Sequence, residues 1–454
     1  MANKNLLTYN SKVSQVEQMY FAPVSALVGT ETPISTVYCF LSRVLPWSNE
    51  IDPVQPTQDQ KAIKSVFKSI FVVKKINSSD ISPVTQRIDW ISGDTYDYYQ
   101  DDIDMFEVDS SGLLTKSFYA RNRYDQVFKC LWNNNGLPST DEPFFQPGSY
   151  GTNNIYKGTD GYKWKYIYTI DVGTKTKFMD STWIPVPVGA NTPNPIQATA
   201  GYGDIEVINV VNGGFGYDPA NSVITVSITG DGTSAAATAS VEDGVITDII
   251  VSNPGSNYTF ANVTVSSAVG SNSSFIAPIS PIGGHAFDPV SELGCSHVMI
   301  TTEFNGSENG IIPTDIDYRQ VGLLVNPSAL STYPNPANGA IYKTTTDFVV
   351  APGFGVYNLD ETVYQGDSVE TASFTGTVLS FDAASNIIKL INTTGTYTLN
   401  APVFGNSSQT ARTLLSVSLP DFITFSGYMS YIENRESVQR SYDGIEQFKF
   451  VLGY

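Results

Sequence analysis

A segment of thirteen residues recurs along the chain, and this repeat restricts how the middle of the sequence can fold. Its two copies are IEVINVVNGGFGY at 205–217 and ITDIIVSNPGSNY at 246–258. The positions that match are Ile205/Ile246, Ile208/Ile249, Val210/Val251, Asn212/Asn253, Gly214/Gly255 and Tyr217/Tyr258. Each copy has the pattern of a strand, a glycine turn and a second strand. Because one hairpin alone is only marginally stable, the two copies together predict a compact sandwich or barrel.

The repeat lies in a region whose composition differs from that of its flanks. Residues 200–284 contain almost no Lys or Arg, and we predict an inserted β domain with these bounds. A second insert is predicted at 358–414, where three strand-like runs are separated by turn residues, as in a small β barrel. The rest of the chain is predicted to form one discontinuous core domain, made of 1–199, 285–357 and 415–454.

The core segments contain one clear helix signal and one clear strand signal. A helix is predicted at about 58–72, with Thr57 as its cap and one apolar stripe formed by Ile63, Val66, Phe67 and Ile70. A strand is predicted at 161–171 (GYKWKYIYTID), where aromatic residues alternate with polar ones. This alternation puts the aromatic side chains on one face and Lys163 and Lys165 on the other, and it predicts a half-buried strand.

The composition favours β structure. Charged residues make up only 15% of the 454 residues, while Gly (36) and Pro (25) are abundant, which suits many short strands with frequent turns. The predicted fold class is therefore mainly β with a few helices, an α+β core carrying two small β inserts.

The charge of the chain limits its partners. A formal net charge of −19 repels phosphate backbones and anionic membrane surfaces, so we expect neither nucleic acid nor membrane insertion. No apolar run is long enough to span a bilayer, and the first residues lack the apolar core of a signal peptide. We expect synthesis in a cytoplasm, with Cys39, Cys130 and Cys295 as buried free thiols.

A search for catalytic and metal-binding patterns gives no candidate. His285 and His297 are the only histidines, and no HExxH, CxxC or GxSxG pattern accompanies them. His285 lies in a glycine-rich turn, where a backbone role is expected. The acidic run at 94–104 does not have the spacing of a calcium loop and is expected to be solvated. We therefore predict no catalytic residue, no metal and no cofactor, and expect that the chain is not an enzyme.

Two carbohydrate-related alternatives stay open. A glycosidase needs only two carboxylates, which a chain with 44 acidic residues can always supply, although no motif anchors such a pair. The Gly-Tyr repeats at 200–284 also permit a carbohydrate-binding module, with a plain spacer or clamp as the competing interpretation.

Five segments, in the same order along the chain, resemble one protein family. They are STVYCFLSRVLPWSNE (35–50), QRIDWISGDTY (86–96), GYKWKYIYTID (161–171), DYRQVGLLVNP (317–327) and SGYMSYIENR…IEQFKFVL (426–452). The family is the baseplate wedge protein encoded by gene eight of T4-like contractile-tailed phages. The resemblance covers 1–195, 285–350 and 415–454, so the chain looks like an enlarged relative. Its Gly-Tyr-rich repeats at 205–258 resemble those of marine T4-like phages, which suggests a cyanophage.

The resemblance implies a non-enzymatic structural protein. It implies a homodimer in the baseplate wedge that contacts other wedge proteins and tail-fibre-network proteins. It also implies a part in the rearrangement that triggers sheath contraction, and a location in the virion after assembly in the host cytoplasm. The motif positions, which we expect to have scaffold rather than interface roles, are Pro46, Trp47, Asp89, Trp90, Gly161, Tyr162, Trp164, Tyr166, Arg319, Gln320, Glu433, Asn434 and Arg435.

Overall fold

A computed structural model describes residues 9–21, 36–147, 154–188 and 200–454. The fold is mainly β with a few helices. Its α-helices are α1 (Tyr9–Phe21), α2 (Gln60–Ser69), α3 (Val172–Phe178) and α4 (Pro289–Glu292), and short 3₁₀ turns occur at Ser78–Asp80 and Asn134–Gly136.

The strands are numbered in chain order. The first eight are β1 (Val37–Ser42), β2 (Ile70–Ile76), β3 (Ile81–Gln86), β4 (Tyr119–Arg121), β5 (Gln126–Trp132), β6 (Ile155–Lys157), β7 (Lys163–Thr169) and β8 (Trp183–Pro185). The next eight are β9 (Asn209–Phe215), β10 (Thr225–Gly230), β11 (Ala236–Glu242), β12 (Val245–Asn253), β13 (Ala261–Ser266), β14 (Ser271–Ile276), β15 (His297–Asn305) and β16 (Asp317–Val325). The last nine are β17 (Ile341–Lys343), β18 (Thr346–Val350), β19 (Thr362–Gln365), β20 (Phe374–Asp382), β21 (Ile387–Gly395), β22 (Pro402–Gly405), β23 (Ala411–Ser418), β24 (Tyr428–Gln439) and β25 (Ile445–Gly453).

The described residues divide into two compact units. Unit 1 comprises residues up to 18, residues 82–299 and residues 450–454, and unit 2 comprises 19–81 and 300–449. The chain passes from one unit to the other within helix α1 and strands β3, β15 and β25. The predicted insert at 200–284 lies within unit 1, and the predicted insert at 358–414 lies within unit 2.

A five-stranded antiparallel sheet forms one part of unit 2, with the strand order β17-β2-β1-β16-β24. Strands β1 and β16 are buried along their whole length because each has a neighbour on both sides and side chains packed on both faces. Helix α2 packs Val66 and Phe67 into the core of this sheet, together with Tyr38 and Phe40 of β1. The sheet therefore brings together segments from both ends of the sequence.

Helix α2 is shorter than predicted. Asp59, rather than Thr57, caps it by accepting a 2.9 Å hydrogen bond from the backbone N–H of Ala62. The helix ends at Ser69, because the apolar, β-branched run IFVVKKI that follows pairs with β1 as strand β2. Ile70 therefore fits both the apolar stripe of a helix and a strand, and the pairing with β1 in the folded protein makes it part of a strand.

The other part of unit 2 is a closed antiparallel barrel. Its strand order is β18-β21-β20-β19-β22-β23, so it begins at Thr346, before the predicted insert boundary at 358. Its interior is filled by side chains that include Phe348, Val363 and Leu390, all completely buried. Closure leaves the barrel without an unpaired strand edge.

The core of unit 1 is a four-stranded antiparallel sheet with the order β4-β5-β7-β6. The prediction that strand 161–171 is half-buried is wrong, because six of the seven residues of β7 are buried, including Lys163 and Lys165. The lysine face is covered because these side chains meet carboxylates of the 200–284 region. Strands β3 and β8 also pair in this unit, with Val84 opposite Pro185.

Residues 200–284 form six strands related by an internal two-fold pattern. Strand β9 pairs with β14, β12 with β11 and β10 with β13, all antiparallel. Ile208 and Ile249, which occupy equivalent positions of the sequence repeat, form an antiparallel bridge with each other. An antiparallel pair of equivalent residues lies on a local two-fold axis, so the repeat is expressed as pseudo-symmetry about this bridge.

Cys39, Cys130 and Cys295 are buried free thiols, as predicted. Burial raises the pKa of each thiol. In the part of the chain that the structure describes, no helix is both long enough and apolar enough to cross a membrane.

Candidate functional site

Three lysines lie on one face of the unit 1 sheet. Lys129 of β5 stands directly opposite Lys165 of β7, and Lys163 projects from the same side of β7 two residues earlier. Their exposed fractions are 1%, 1% and 7%. Like charges opposite each other destabilise a sheet, so each buried ammonium needs its own anion.

Lys165 pairs with Glu206. Its Nζ lies 2.8 Å from Oε1 and 2.7 Å from Oε2 of that carboxylate, and both side chains are buried. Burial raises the pKa of Glu206 to about 7, although the neighbouring Lys165 charge opposes this rise. The pair joins the core strand to the start of the repeat region.

Lys163 forms a second link to the repeat region. Its Nζ donates to the carbonyl oxygen of Ile208 at 2.9 Å and to Oδ1 of Asp248 at 3.0 Å. Lys157 of β6 binds the other oxygen of Asp248 at 2.8 Å. Burial works to raise the pKa of Asp248, but the charges and hydrogen bonds of the two lysines outweigh it and lower the pKa. Residues 200–280 contain no Lys or Arg, so Glu206 and Asp248 pair with lysines of the core strands.

Lys129 belongs to a second buried cluster. Its Nζ lies 3.1 Å from Oε1 of Glu292 and 3.8 Å from the centre of the Tyr99 ring, a cation–π contact. Glu292 also contacts Nδ1 of His285 at 2.8 Å and accepts a hydrogen bond from the backbone N–H of Ala286. All of these ionisable side chains are buried.

Burial and the contacts of the Glu292 carboxylate determine which side chains of this cluster are charged. Burial lowers the pKa of His285 to about 4, and the nearby Lys129 charge adds to this effect, so the imidazole is neutral at pH 7. Burial works to raise the pKa of Glu292, but Lys129 and the hydrogen bond from His285 outweigh it and lower the pKa to about 2. The arrangement is therefore an ammonium–carboxylate pair with a neutral imidazole that donates to the carboxylate.

A cleft of about 530 Å³ opens above this cluster within unit 1. Loop 99–106 forms one wall and segment 281–292 forms the other, with Lys129 at the base. Its lining is aromatic, aliphatic and acidic and includes Tyr99, Asp101, Ile103, Asp104, Phe106, Ile282, Phe287, Asp288 and Glu292.

Two motif residues of unit 1, Asp89 and Trp90, form side-chain hydrogen bonds with other residues of the chain. Asp89 accepts hydrogen bonds from Arg87 and Arg121, at 2.7 Å from a nitrogen of each. Trp90 donates through Nε1 to Oγ of Ser139 at 3.0 Å. Both residues therefore fix the segment that follows β3.

The aromatic motif residues at the start of β7 form two stacked pairs, and a glycine precedes them. Tyr162 stacks on Trp164 with ring centres 5.6 Å apart, and its hydroxyl donates to the carbonyl of Leu137 at 2.6 Å. Tyr166 stacks on Phe145 at 4.0 Å. Gly161 has a φ of +83°, which only glycine adopts without strain.

The motif residues of unit 2 meet along β16 and β24. Gln320 donates to Asn434 at 2.7 Å, and Asn434 donates to the carbonyl of Val54 at 2.6 Å. Ser42 of β1 donates to Gln320 at 3.2 Å. A chain of side-chain hydrogen bonds thus crosses three strands and reaches the loop after β1.

Glu50, in the loop after β1, accepts hydrogen bonds from three other residues. Its carboxylate accepts from Nε of Arg319 at 3.0 Å, from the N–H of Trp47 at 2.9 Å and from the N–H of Ser437 at 3.2 Å. Desolvation works to raise the pKa of Glu50, but these bonds outweigh it and lower the pKa. Arg435 pairs with Glu433 at 2.7 Å. Pro46 is exposed.

The Gly-Tyr repeat does not present its tyrosines to solvent. Tyr217 and Tyr258 are only 3% and 5% exposed, and each ring lies over a glycine, Gly270 and Gly232 respectively. A sugar-binding platform needs an exposed ring face. These two rings serve as core residues.

Sequence reasoning missed the buried charge clusters. It assigned His285 a backbone role, whereas the side chain contacts Glu292. A usable signal was present, because Lys129 stands inside the apolar run QVFKCLW, where a lysine needs a buried anion. Glu206 and Asp248 carried no signal of their own.

The described residues contain no group of three or more His, Cys, Asp and Glu side chains placed to hold a metal ion. His297 lies against Trp183 at 4.4 Å and contacts Oγ of Ser296 at 3.0 Å. No protein-family model matches the chain. No curated protein sequence matches it.

Proposed function

We propose that the chain is a structural subunit of the baseplate wedge of a contractile phage tail and acts as a homodimer. The observation that carries the proposal is the meeting of three motif segments that are distant in sequence. Strands β1, β16 and β24 come from the segments at 35–50, 317–327 and 426–452, and they are neighbours in one sheet. The resemblance to the baseplate family therefore rests on residues that hold one sheet together.

The bonding of the motif side chains supports a scaffold role for them. Arg319 and Trp47 share the Glu50 carboxylate, and Gln320 and Asn434 bond to each other. Such bonds fix the sheet edge and the loop beside it. A rigid frame suits a subunit that transmits force through an assembly.

The state of the buried ionisable groups supports a non-enzymatic role. Lys129 is held by a carboxylate and an aromatic ring, and His285 is neutral and already donates to Glu292. A general acid or base has to exchange protons with a substrate within hydrogen-bond reach. These groups are instead committed to one another.

The proposed partners are a second copy of the chain, other wedge proteins and proteins of the tail-fibre network. In this proposal the subunit assembles in the host cytoplasm, becomes part of the virion and takes part in the rearrangement that precedes sheath contraction. The net charge of −19 disfavours nucleic acid as a partner.

Light scattering on the purified chain tests the homodimer. The expected mass is twice 49.3 kDa over the accessible concentration range. A mass of 49.3 kDa at every concentration would contradict the dimer.

Mass spectrometry of purified tails tests the location. Peptides of this chain are expected in tails separated from heads, in a fixed ratio to the other baseplate proteins. Their absence would contradict the baseplate role. New reducing ends after incubation with host capsule or lipopolysaccharide would favour the polysaccharide-degrading alternative instead.

A further inference from the structure

The repeat region, residues 200–284, has a hydrophobic core of its own. Its apolar cluster includes Ile205, Ile249 and Ile279, and all members of that cluster lie between residues 205 and 279. Among the described residues, its six strands pair only with one another, and none of them joins the core sheet β4-β5-β7-β6. A segment with its own core and its own strand pairing has the anatomy of a domain that keeps its fold when it moves.

Polar and charged groups fasten the repeat region to the core sheet. The lysines of β6 and β7 pair with Glu206 and Asp248, as described above. Asn209 is completely buried, and its Nδ2 donates to the carbonyl of Leu131 in β5 at 2.9 Å. When such surfaces separate, water replaces each of these bonds, whereas nothing replaces the contacts of an apolar core. The contacts to the core sheet are therefore easier to break than the fold of the region itself.

The two ends of the repeat region meet at one point. A Cβ added to Gly284 would lie only 2.6 Å from the backbone nitrogen of Gly201, so the two backbones are in direct contact. Ser280 ties the same ends together, because its Oγ lies 2.6 Å from Oδ1 of Asp204 and 3.2 Å from the carbonyl oxygen of Gly201. Since the chain enters and leaves the region at one place, changes in a few backbone angles there are enough to rotate the whole region.

We propose that the repeat region is a hinged domain that leaves the lysine face of the core sheet as one folded piece and docks on it again. In the docked state, each buried lysine and carboxylate depends on its partner for compensation of its charge. In the released state, these groups regain water while the apolar cluster of the region stays closed. The inference goes beyond the proposed function and does not depend on it, because every contact that it uses lies within the chain.

Cysteine labelling of the full chain under native conditions tests the proposal. Asn209→Cys places a thiol at the boundary, and Val263→Cys places one inside the apolar cluster of the repeat region. The native, buried Cys130 reports on the core sheet. We expect the boundary thiol to react at least about tenfold faster than the other two, because release uncovers it without unfolding either part. Equal rates for the three thiols would overturn the proposal, since the region would then open only by unfolding.

A second substitution shows whether the charged contacts hold the region in place. Asp248→Asn removes the carboxylate that Lys157 and Lys163 share. It should speed the labelling of Asn209→Cys at least about tenfold and change that of Val263→Cys less than about twofold. Equal acceleration of both thiols, or of neither, would contradict the release of a folded region.

Asp243→Asn is the matched control for Asp248→Asn. It removes the same charge from an exposed turn of the repeat region, at a φ of +49° that asparagine tolerates. Both labelling rates should therefore stay as they are in the parent. An acceleration of the boundary thiol as large as that in Asp248→Asn would show that net charge, rather than the bonds to Lys157 and Lys163, controls the opening, and would overturn the proposed fastening.

Discussion

The indole Nε1 of Trp47 donates a 2.7 Å hydrogen bond to the backbone carbonyl of Arg435, which lies 388 residues further along the chain. The acceptor lies where the register between β16 and β24 shifts beside Arg319. A residue of the first motif segment therefore satisfies a backbone group of the last one. This bond joins the loop after β1 to the edge of the sheet in unit 2.

Replacing Trp47 with Phe should destabilise unit 2. The ring stays but the donor is lost, which leaves the carbonyl of Arg435 without this partner and costs about 1 kcal/mol. Urea unfolding monitored by intrinsic fluorescence measures the change. Leu45→Ala in the same loop is the control, because Leu45 is 70% exposed and its loss should matter little. Equal effects of the two substitutions would show that the bond is unimportant.

For the Lys165–Glu206 pair, we predict that a single and a double variant differ in their free energy of unfolding. Lys165→Met leaves the Glu206 carboxylate buried without its cation and should cost about 3 kcal/mol. The double variant Lys165→Met/Glu206→Leu removes both charges, so its stability should return to near that of the parent or exceed it. The free energy of unfolding in urea measures both. A double variant as unstable as Lys165→Met would contradict the account of the pair.

The low pKa of His285 predicts a loss of stability in acid. Its folded pKa is about 4 against an ordinary 6.5, so between these values the unfolded chain binds a proton that the folded chain does not. The contribution of His285 is therefore full above pH 6.5 and is lost as the pH falls toward 4. His285→Asn keeps a donor but cannot titrate. Relative to this variant, the parent should lose about 3 kcal/mol over that range.

Glu206 should change the stability of the folded chain with pH in the opposite direction to His285. Its folded pKa is raised to about 7 from 4.5, so the folded chain holds a proton that the unfolded chain has released. Stability from this group is full below pH 4.5 and is lost as the pH rises through 7. The profile of Glu206→Gln should therefore deviate from the parent with a sign opposite to that of His285→Asn. Profiles that run parallel to the parent for both variants would contradict these charge assignments.

In the repeat region, we predict that two glycines cannot be replaced without a loss of stability. A Cβ at Gly270 would overlap the Tyr217 ring, and a Cβ at Gly232 would overlap the Tyr258 ring. Gly270→Ala and Gly232→Ala should each destabilise unit 1 by about 1–3 kcal/mol. Gly353→Ala is the control, because its nearest contact is the Arg412 side chain at 3.8 Å. Thermal unfolding that is the same for all three would refute the role of the glycines.

The fold class could be predicted from local chemistry, because Gly, Pro and alternating strand patterns act over a few residues. The end of α2 could not, since Ile70 satisfies both the helical stripe and the strand that replaces it. Only the neighbouring strand β1 decides between the two states. The same limit applies to β7, whose alternation is real but whose lysine face is buried by a region that begins about 40 residues later.

The anions that pair with the buried lysines could not be predicted from the sequence, for a related physical reason. A lysine in an apolar run indicates that an anion is near, but 44 acidic residues offer too many candidates for Lys129 and Lys165. Glu292 is selected by the turn that contains His285, and Glu206 by the docking of the repeat region on β7. Both choices depend on contacts between segments that are far apart in sequence.

A density map of the intact tail tip tests the central proposal most directly. We predict that the chain occupies the baseplate wedge in pairs, with an interface between copies that buries more than about 1,000 Å². Finding it as an isolated monomer with smaller contacts, or finding no density for it in the baseplate, would contradict the proposal.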